Sequence, residues 1–393
     1  MDNKFRGIYI TNGTIITPFK ILKDQALLIK DEKIISIKNK YENIPGNMQI
    51  INANGNYIAP GFIDLHVHGG GGADFMDASY DAIKRIADTH CRYGTTSFLA
   101  TTMTMGKNKI LDSLKAVKEA YKIKTGSAQV LGIHLEGPYI NEKMKGAQNK
   151  AYIKSPSIEE FKEYIKASGK LIKIVSLAPE LPGALEFISW LKIQDIVVSA
   201  GHTSATYEQM KSGIDAGLNH VTHIFNAMTG LHHREPGVVG AALTSPELII
   251  ELIADGIHVH PAVMDLIFRS KEKEKIVLIS DAIRATGLPP GKYDLGGQTV
   301  IANKTSARLQ DGTLAGSVLT LDKAVKNVVS KIKVPITDAI QMVTFNPAKC
   351  INIEDKKGSL EAGKDADIVI LDKKLEVVLT IVMGNVIFNK STV

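Results

Sequence analysis

The sequence predicts a (β/α)8 barrel accompanied by a small β-sandwich built from both ends of the chain. Between residues 59 and 358, short apolar runs alternate with helix-patterned stretches, the rhythm of a parallel sheet. Several of these runs close on a histidine or an acidic residue. GFIDLHVH ends on His66 and His68, VLGIHLE on Glu136, IVVSAGH on His202, NHVTH on His223 and IVLISD on Asp281. Residues 1–58 and 359–393 read differently, as short strands and turns.

The N-terminal piece offers FRGIYITNGTIIT and QALLIKDEKIISIK, with Asn12-Gly13 as a hairpin signal. The C-terminal piece offers DADIVILD at 365–372 and EVVLTIVMGNVIFN at 376–389, with Gly384 as a further turn. Neither piece is long enough for a stable sheet alone, so both are expected to pair into one sandwich beside the barrel. Barrel strands are expected near 61–66, 96–101, 129–135, 172–177, 195–200, 219–223, 248–254 and 276–280. Helices are expected at 79–92, 107–124, 157–168, 204–216 and 319–333. The span suits a barrel of roughly 250 residues plus extra segments. An open doubly wound sheet would carry a Gly-rich nucleotide loop after an early strand. The glycines at 69–72 lack the G-x-G-x-x-G spacing and follow the His-x-His pair directly, so they predict a tight backbone passage beside those histidines.

Composition excludes several classes. With 393 residues, 44% hydrophobic and 22% charged, the chain can bury a large core. Its longest apolar runs, such as LIIELIA at 248–254, fall well short of the roughly 20 residues that span a bilayer. The opening MDNKFRGIYITNG lacks a signal-peptide profile, so no membrane association and a cytoplasmic location are expected. Cys91 and Cys350 are expected to be reduced core residues. The net charge of +6 is spread over 47 basic and 41 acidic residues without a long basic block, which gives nucleic-acid binding no support.

Strands of a (β/α)8 barrel aim their C-terminal ends at one face, so polar residues closing strands converge there. Imidazoles and carboxylates in such a cluster bind a divalent transition metal, of the Zn, Fe, Mn or Co class. His66 and His68, two apart on one strand, share a face and can reach one ion. Glu136 closes an apolar run before Gly-Pro, where an unpartnered carboxylate would be costly. His202 and His223 leave their strands into small or polar residues. Asp281, beside a metal-activated water, is placed to accept a proton and return it to a leaving amine. His134 is expected to support or pack. His220, three residues before His223 in a strand, is expected to face the opposite side and serve structure. The loop LHHREPG at 231–237, with His232, His233 and Arg234, and His258 in ADGIH put cationic groups at the barrel mouth, suited to an anion.

These motifs resemble the N-acetylglucosamine-6-phosphate deacetylase family of the amidohydrolase superfamily, nearly end to end. The resemblance rests on PGFIDLHVHGGGG at 60–72, GIHLEGPYIN at 132–141, GHTSATYEQM at 201–210, HIFNAMTGLHHREPGVVGAAL at 223–243, IADGIHVHP at 253–261, SDAIRATGLPPGKY at 280–293, LAGS at 314–317 and GSLEAGKDADIVILD at 358–372. It implies hydrolysis of the acetamide of N-acetylglucosamine 6-phosphate, in amino-sugar catabolism or cell-wall recycling. It also implies that Glu136, His202 and His223 hold the principal metal, with Asp281 as acid/base. Ala147, Gln148, Asn226, Ala227, Arg234, His258 and the Leu314-Ala315-Gly316 segment would contact the sugar phosphate. A phosphate contact crossing between subunits implies a homodimer. Members differ at the first strand, and because this chain keeps His66 and His68, one or two ions per subunit are implied. At 148 it has Gln where some relatives carry a His thought to polarise the carbonyl.

The rivals are an N-acetylgalactosamine 6-phosphate deacetylase, a dihydroorotase-like cyclic amidase and a non-catalytic scaffold. The cyclic amidases bridge two metals with a carboxylated lysine, whereas the third strand here ends in Glu136. A scaffold would be expected to have lost ligands.

Overall fold

The computed structural model describes residues 7–40 and 48–392. Residues 1–6, 41–47 and 393 of the expected sandwich lie outside the described residues.

Eight parallel strands follow one another round the barrel in chain order: Phe62–Val67, Thr95–Thr101, Gln129–Glu136, Ile172–Leu177, Val197–Ala200, His220–Val221, Ile249–Ile253 and Ile276–Ile279. Every residue of Phe62–Val67, Thr95–Thr101 and Ile276–Ile279 is buried, as expected of parallel strands covered on both faces. The ring closes where Val67 bridges Ala282, and backbone amides of His68 and Asp281 donate across that seam to Ala282 and His66 at 2.9 Å each. The first and last members of the histidine and carboxylate series are therefore neighbours.

The surrounding helices start where the sequence supplies caps. Ser79 caps Tyr80–Cys91 and Ser157 caps Ile158–Ser168, each hydroxyl accepting an amide of the first turn. Thr206 and Gln209 form a reciprocal capping box on Tyr207–Ala216. The helix expected at 319–333 is α over Leu321–Asn327 and widens to a π turn over Val328–Ile332. Cys91 and Cys350 are both buried free thiols. No helix among the described residues is long and apolar enough to cross a membrane.

Strands from both ends of the chain share one six-stranded sheet, in the order Asn385–Asn389, Val377–Val382, Ile368–Leu371, Tyr57–Pro60, Thr14–Ile16, Ile21–Leu22. A four-stranded sheet built from Lys33–Asn39, Gln25–Lys30, Ile8–Thr11 and Gln49–Asn52 packs with it through Ile10, Leu27, Ile58, Ile368 and Ile381. Tyr57–Pro60 runs across the expected boundary at 58/59. Lys357 ties the barrel's exit to this sheet through Asp365 at 2.9 Å and Asp367 at 2.5 Å. Met383-Gly384 makes a two-residue hairpin turn with φ 48° and 73°.

Asn12-Gly13 is not a hairpin. The strands on either side of it lie in different sheets, Ile8–Thr11 pairing parallel with Gln49–Asn52 and Thr14–Ile16 parallel with Tyr57–Pro60. Asn12 takes the left-handed conformation the dipeptide favours, at φ 56°, but uses it to turn a corner between sheets.

The glycine run does pack as tightly as expected. Gly69–Gly70 pairs with Ala73–Asp74 in a ribbon, and a Cβ on Gly69 would stand 2.3 Å from the Ala73 carbonyl oxygen and 2.9 Å from the Arg284 amide.

Candidate metal centre and active site

The residues that close the strands meet in one volume. Glu136 ends the third strand, buried, with Oε1 3.2 Å from His223 Nε2, 3.3 Å from His202 Nε2 and 3.4 Å from His66 Nε2. Its other oxygen lies 3.3 Å from His68 Nε2. Asp281 Oδ1 stands 3.3 Å from His68 Nε2 and 3.5 Å from His66 Nε2. The Nε2 atoms of His66 and His68 face each other at 3.2 Å, as do those of His202 and His223. Among the described residues, two three-residue groups border Glu136's oxygens, Glu136 with His202 and His223, and His66 with His68 and Asp281, and a third, His66 with His134 and Glu251, lies beside them. Glu136 stands between the first two.

Local backbone geometry aims these side chains. His202, His223 and Asp281, each just past a strand end, adopt left-handed φ of 49°, 29° and 49°. A non-glycine residue there costs about 1–3 kcal/mol and persists only where its surroundings hold it. The distal ring nitrogens are also held. His66 Nδ1 donates to Glu251 at 3.0 Å and His202 Nδ1 to the Met144 carbonyl at 2.9 Å, which turns Nε2 of each ring toward the cluster as the nitrogen that could bind a metal.

The electrostatics fit a cation. Burial alone would raise the carboxyl of Glu136, but the surrounding His66, His202 and His223 hold it well below the usual carboxylate range. Asp281 is likewise lowered against its burial, by His66, His68 and His223. Burial should lower His66, yet Glu136, Glu251 and Asp281 raise it to about 9, and His68 is raised well above normal by Asp281 and Glu136. Buried carboxylates here demand positive charge, which protons on imidazole or a bound metal can supply. The donor set of imidazole nitrogens and carboxylate oxygens suits a divalent transition metal.

A cavity of about 270 Å³ opens over the cluster, and His68, Glu136, His202, His223 and Asp281 reach it. His66 lies fully buried beneath. Of the expected sugar-phosphate contacts, Ala147 and Gln148, Asn226 and Ala227, His258, and Leu314 and Gly316 line this cavity, while Ala315 is buried behind it. His258 is oriented by Asp255, whose carboxylate takes its Nδ1 at 2.7 Å. Arg234 is not brought to the cavity of its own chain. It is exposed on its loop, with Nη1 2.8 Å from His233 Nε2.

His134 donates or accepts at both nitrogens, with the Leu65 carbonyl at 3.0 Å and Ser176 Oγ at 2.7 Å. His220 corrects a sequence expectation. It does not turn to the opposite side but lies inside the barrel, its Nδ1 3.9 Å from Glu251 Oε1. The alternation argument fails because the sixth strand ends at Val221, before the left-handed turn at His223.

Sequence reasoning missed Glu251 as a site residue. The one charge in the apolar run LIIELIA was its signal, since a lone buried carboxylate needs a partner. Also missed was the antiparallel sheet of Gly291–Leu295, Gln298–Ala302 and Ala307–Leu309 after the last strand, from which Leu295 reaches the cavity and Gln298 bonds the Ala147 carbonyl at 2.5 Å.

The amidohydrolase family model matches residues 57–387. The chain belongs to the amidohydrolase family. Among amidohydrolases it is 41% identical over 385 residues to the N-acetylglucosamine-6-phosphate deacetylase of Bacillus subtilis (strain 168), covering 97% of each chain. It is also 41% identical over 356 residues to an N-acetylgalactosamine-6-phosphate deacetylase of Escherichia coli O157:H7, covering 91% of this chain and 93% of that one. A Mycobacterium smegmatis N-acetyl-D-glucosamine-6-phosphate deacetylase variant, solved in complex with N-acetyl-D-glucosamine 6-phosphate, superposes with a TM-score of 0.92 at 30% identity, over 98% of this chain and all of that one.

Proposed function

We propose that this amidohydrolase hydrolyses the acetamide of N-acetyl-D-glucosamine 6-phosphate to D-glucosamine 6-phosphate and acetate, in amino-sugar catabolism or cell-wall recycling. The observation that carries the reading is 41% identity with the Bacillus subtilis deacetylase over an alignment that covers 97% of both chains. The convergence of Glu136, His202, His223 and Asp281 on one cavity supports it.

Glu136, His202 and His223 would hold the principal divalent metal, and His66, His68 and Asp281 a second. When bound, the metal supplies Lewis acidity, lowering the pKa of water and polarising the acetyl carbonyl. Asp281 accepts the proton of the attacking water as the new C–O bond forms. It then gives that proton to the departing nitrogen as the C–N bond breaks, because an amide anion is too poor a leaving group to depart unprotonated. Asn226, Ala227, His258 and the 314–316 segment would hold the sugar phosphate. Arg234, exposed and away from its own cavity, would reach a neighbouring subunit's site in a cytoplasmic homodimer. The terminal segments 1–58 and 359–393 would form a separate sandwich domain, a reading supported by their shared sheet and apolar cluster.

The galactosamine epimer is the second reading, since a relative named for that substrate is equally identical. Acetate release from the two phosphorylated epimers and from unphosphorylated N-acetylglucosamine decides between them. Preference for the glucosamine phosphate is expected. Preference for the galactosamine phosphate would transfer the assignment to the epimer, and preference for the unphosphorylated sugar would overturn both readings.

A further inference from the structure

We infer that Gln148 is a positioning residue that holds the Oε2 oxygen of Glu136 toward His68 and so keeps the carboxylate spread across both halves of the metal centre, rather than a group that polarises the substrate carbonyl. The inference rests on the metal-dependent deacetylase reading above. Gln148 is buried, and both ends of its amide are committed to the protein. The backbone amide of Thr104 donates to Gln148 Oε1 at 2.7 Å, which fixes the flip of the side chain because an N–H cannot face Nε2. Nε2 then donates to Glu136 Oε2 at 2.6 Å, and Met103 Sδ lies 3.8 Å from the same nitrogen. An NH2 group has two hydrogens, and the carboxylate and the thioether receive them. None is left for a substrate carbonyl.

The consequence falls on Glu136. Its Oε1 faces His66, His202 and His223, while Oε2 faces His68 and Gln148. Freed of the amide, the carboxylate could rotate and give both oxygens to the His202 and His223 side. Held by it, Oε2 stays toward His68 while Oε1 faces His66, His202 and His223, so the carboxylate spans both halves. The chain thus runs from the Thr104 backbone through Gln148 to the one carboxylate shared by both groups of ligands. Hydrogen-bond partners of metal ligands typically tune affinity by roughly 10- to 100-fold.

The test titrates metal-stripped wild type, Gln148→Met and Gln148→Glu with Co2+, following visible absorption and counting bound ions. Met preserves approximate volume without a donor, and Glu preserves shape while replacing the NH2. Thermal unfolding of each stripped protein identifies any variant that has failed to fold. The expected result is that the tighter Co2+ site is retained in both variants while affinity of the weaker one falls roughly 10- to 100-fold. Acetate release by Gln148→Met should also recover when Co2+ is raised. Unchanged titration curves together with a fall in kcat that added metal does not relieve would overturn the inference and return Gln148 to the substrate. A wild type that binds Co2+ in two steps but releases no acetate would count against the deacetylase reading, leaving the comparison of titration curves to decide the role of Gln148.

Discussion

Asp281 and His68 meet across the seam that closes the barrel, with Oδ1 of one 3.3 Å from Nε2 of the other and their backbones linked through Ala282 and His66. The acid/base candidate is thereby fixed by the first strand as much as by its own. Its position depends on ring closure as well as on the local sequence SDAIRA.

Asp281→Asn keeps the shape of the side chain but removes the proton acceptor. Turnover should fall by about 10²- to 10⁴-fold. Melting temperature should change little. Steady-state kinetics beside a thermal melt checks both, and near-normal kcat would remove Asp281 from the proton transfers.

Glu251 is the buried partner of His66 Nδ1 and also accepts the His223 amide at 3.3 Å. Glu251→Ala should therefore cost roughly 1–3 kcal/mol for the donors left unpaired. It should also weaken metal retention by roughly 10- to 100-fold, read by competition with a chelator. A variant as stable and as well loaded as wild type would show that Glu251 does not orient the site.

Arg234→Ala should raise KM for the phosphorylated sugar and leave the unphosphorylated sugar unaffected. If the contact crosses between subunits, mixing Asp281→Asn with Arg234→Ala chains creates one competent site in each mixed dimer. Activity of the mixture should then exceed that of either part. No gain on mixing would contradict a contact made in trans.

Lys271 lies away from the site, its ammonium donating to the carbonyls of Ala242 and Ser245 at 2.9 and 2.7 Å, and burial lowers it to about 8. The folded state therefore holds fewer protons than the unfolded state between pH 8 and 10.5, so this group makes folding more favourable as pH rises through that window. Denaturant unfolding of wild type minus Lys271→Met should shift toward wild type from pH 7.5 to 10. A difference independent of pH would contradict the burial effect.

The eight strands were legible because each falls in or beside a short run rich in apolar residues, and the site because a polar residue closes most of the functional runs. Asn12-Gly13 misled because a dipeptide specifies a turn but not the sheet its flanks will join, and those partners lie about 40 residues downstream at Gln49–Asn52 and Tyr57–Pro60. Glu251 escaped notice because its reason for being there, His66, is 185 residues away in sequence. His220 misled for a local reason: period-two alternation holds only inside a strand, and its strand is two residues long. The sheet over 291–309 carried turn residues and alternating exposure, but nothing in the sequence says that such a piece folds toward the barrel mouth.

Acetate released from N-acetyl-D-glucosamine 6-phosphate by purified protein, with bound metal counted on the same sample before and after chelation, bears most directly on the deacetylase assignment. Turnover that falls to baseline as metal leaves and returns as it is restored is the expected result. Full turnover from metal-free protein, or none from protein carrying its metal, would contradict it.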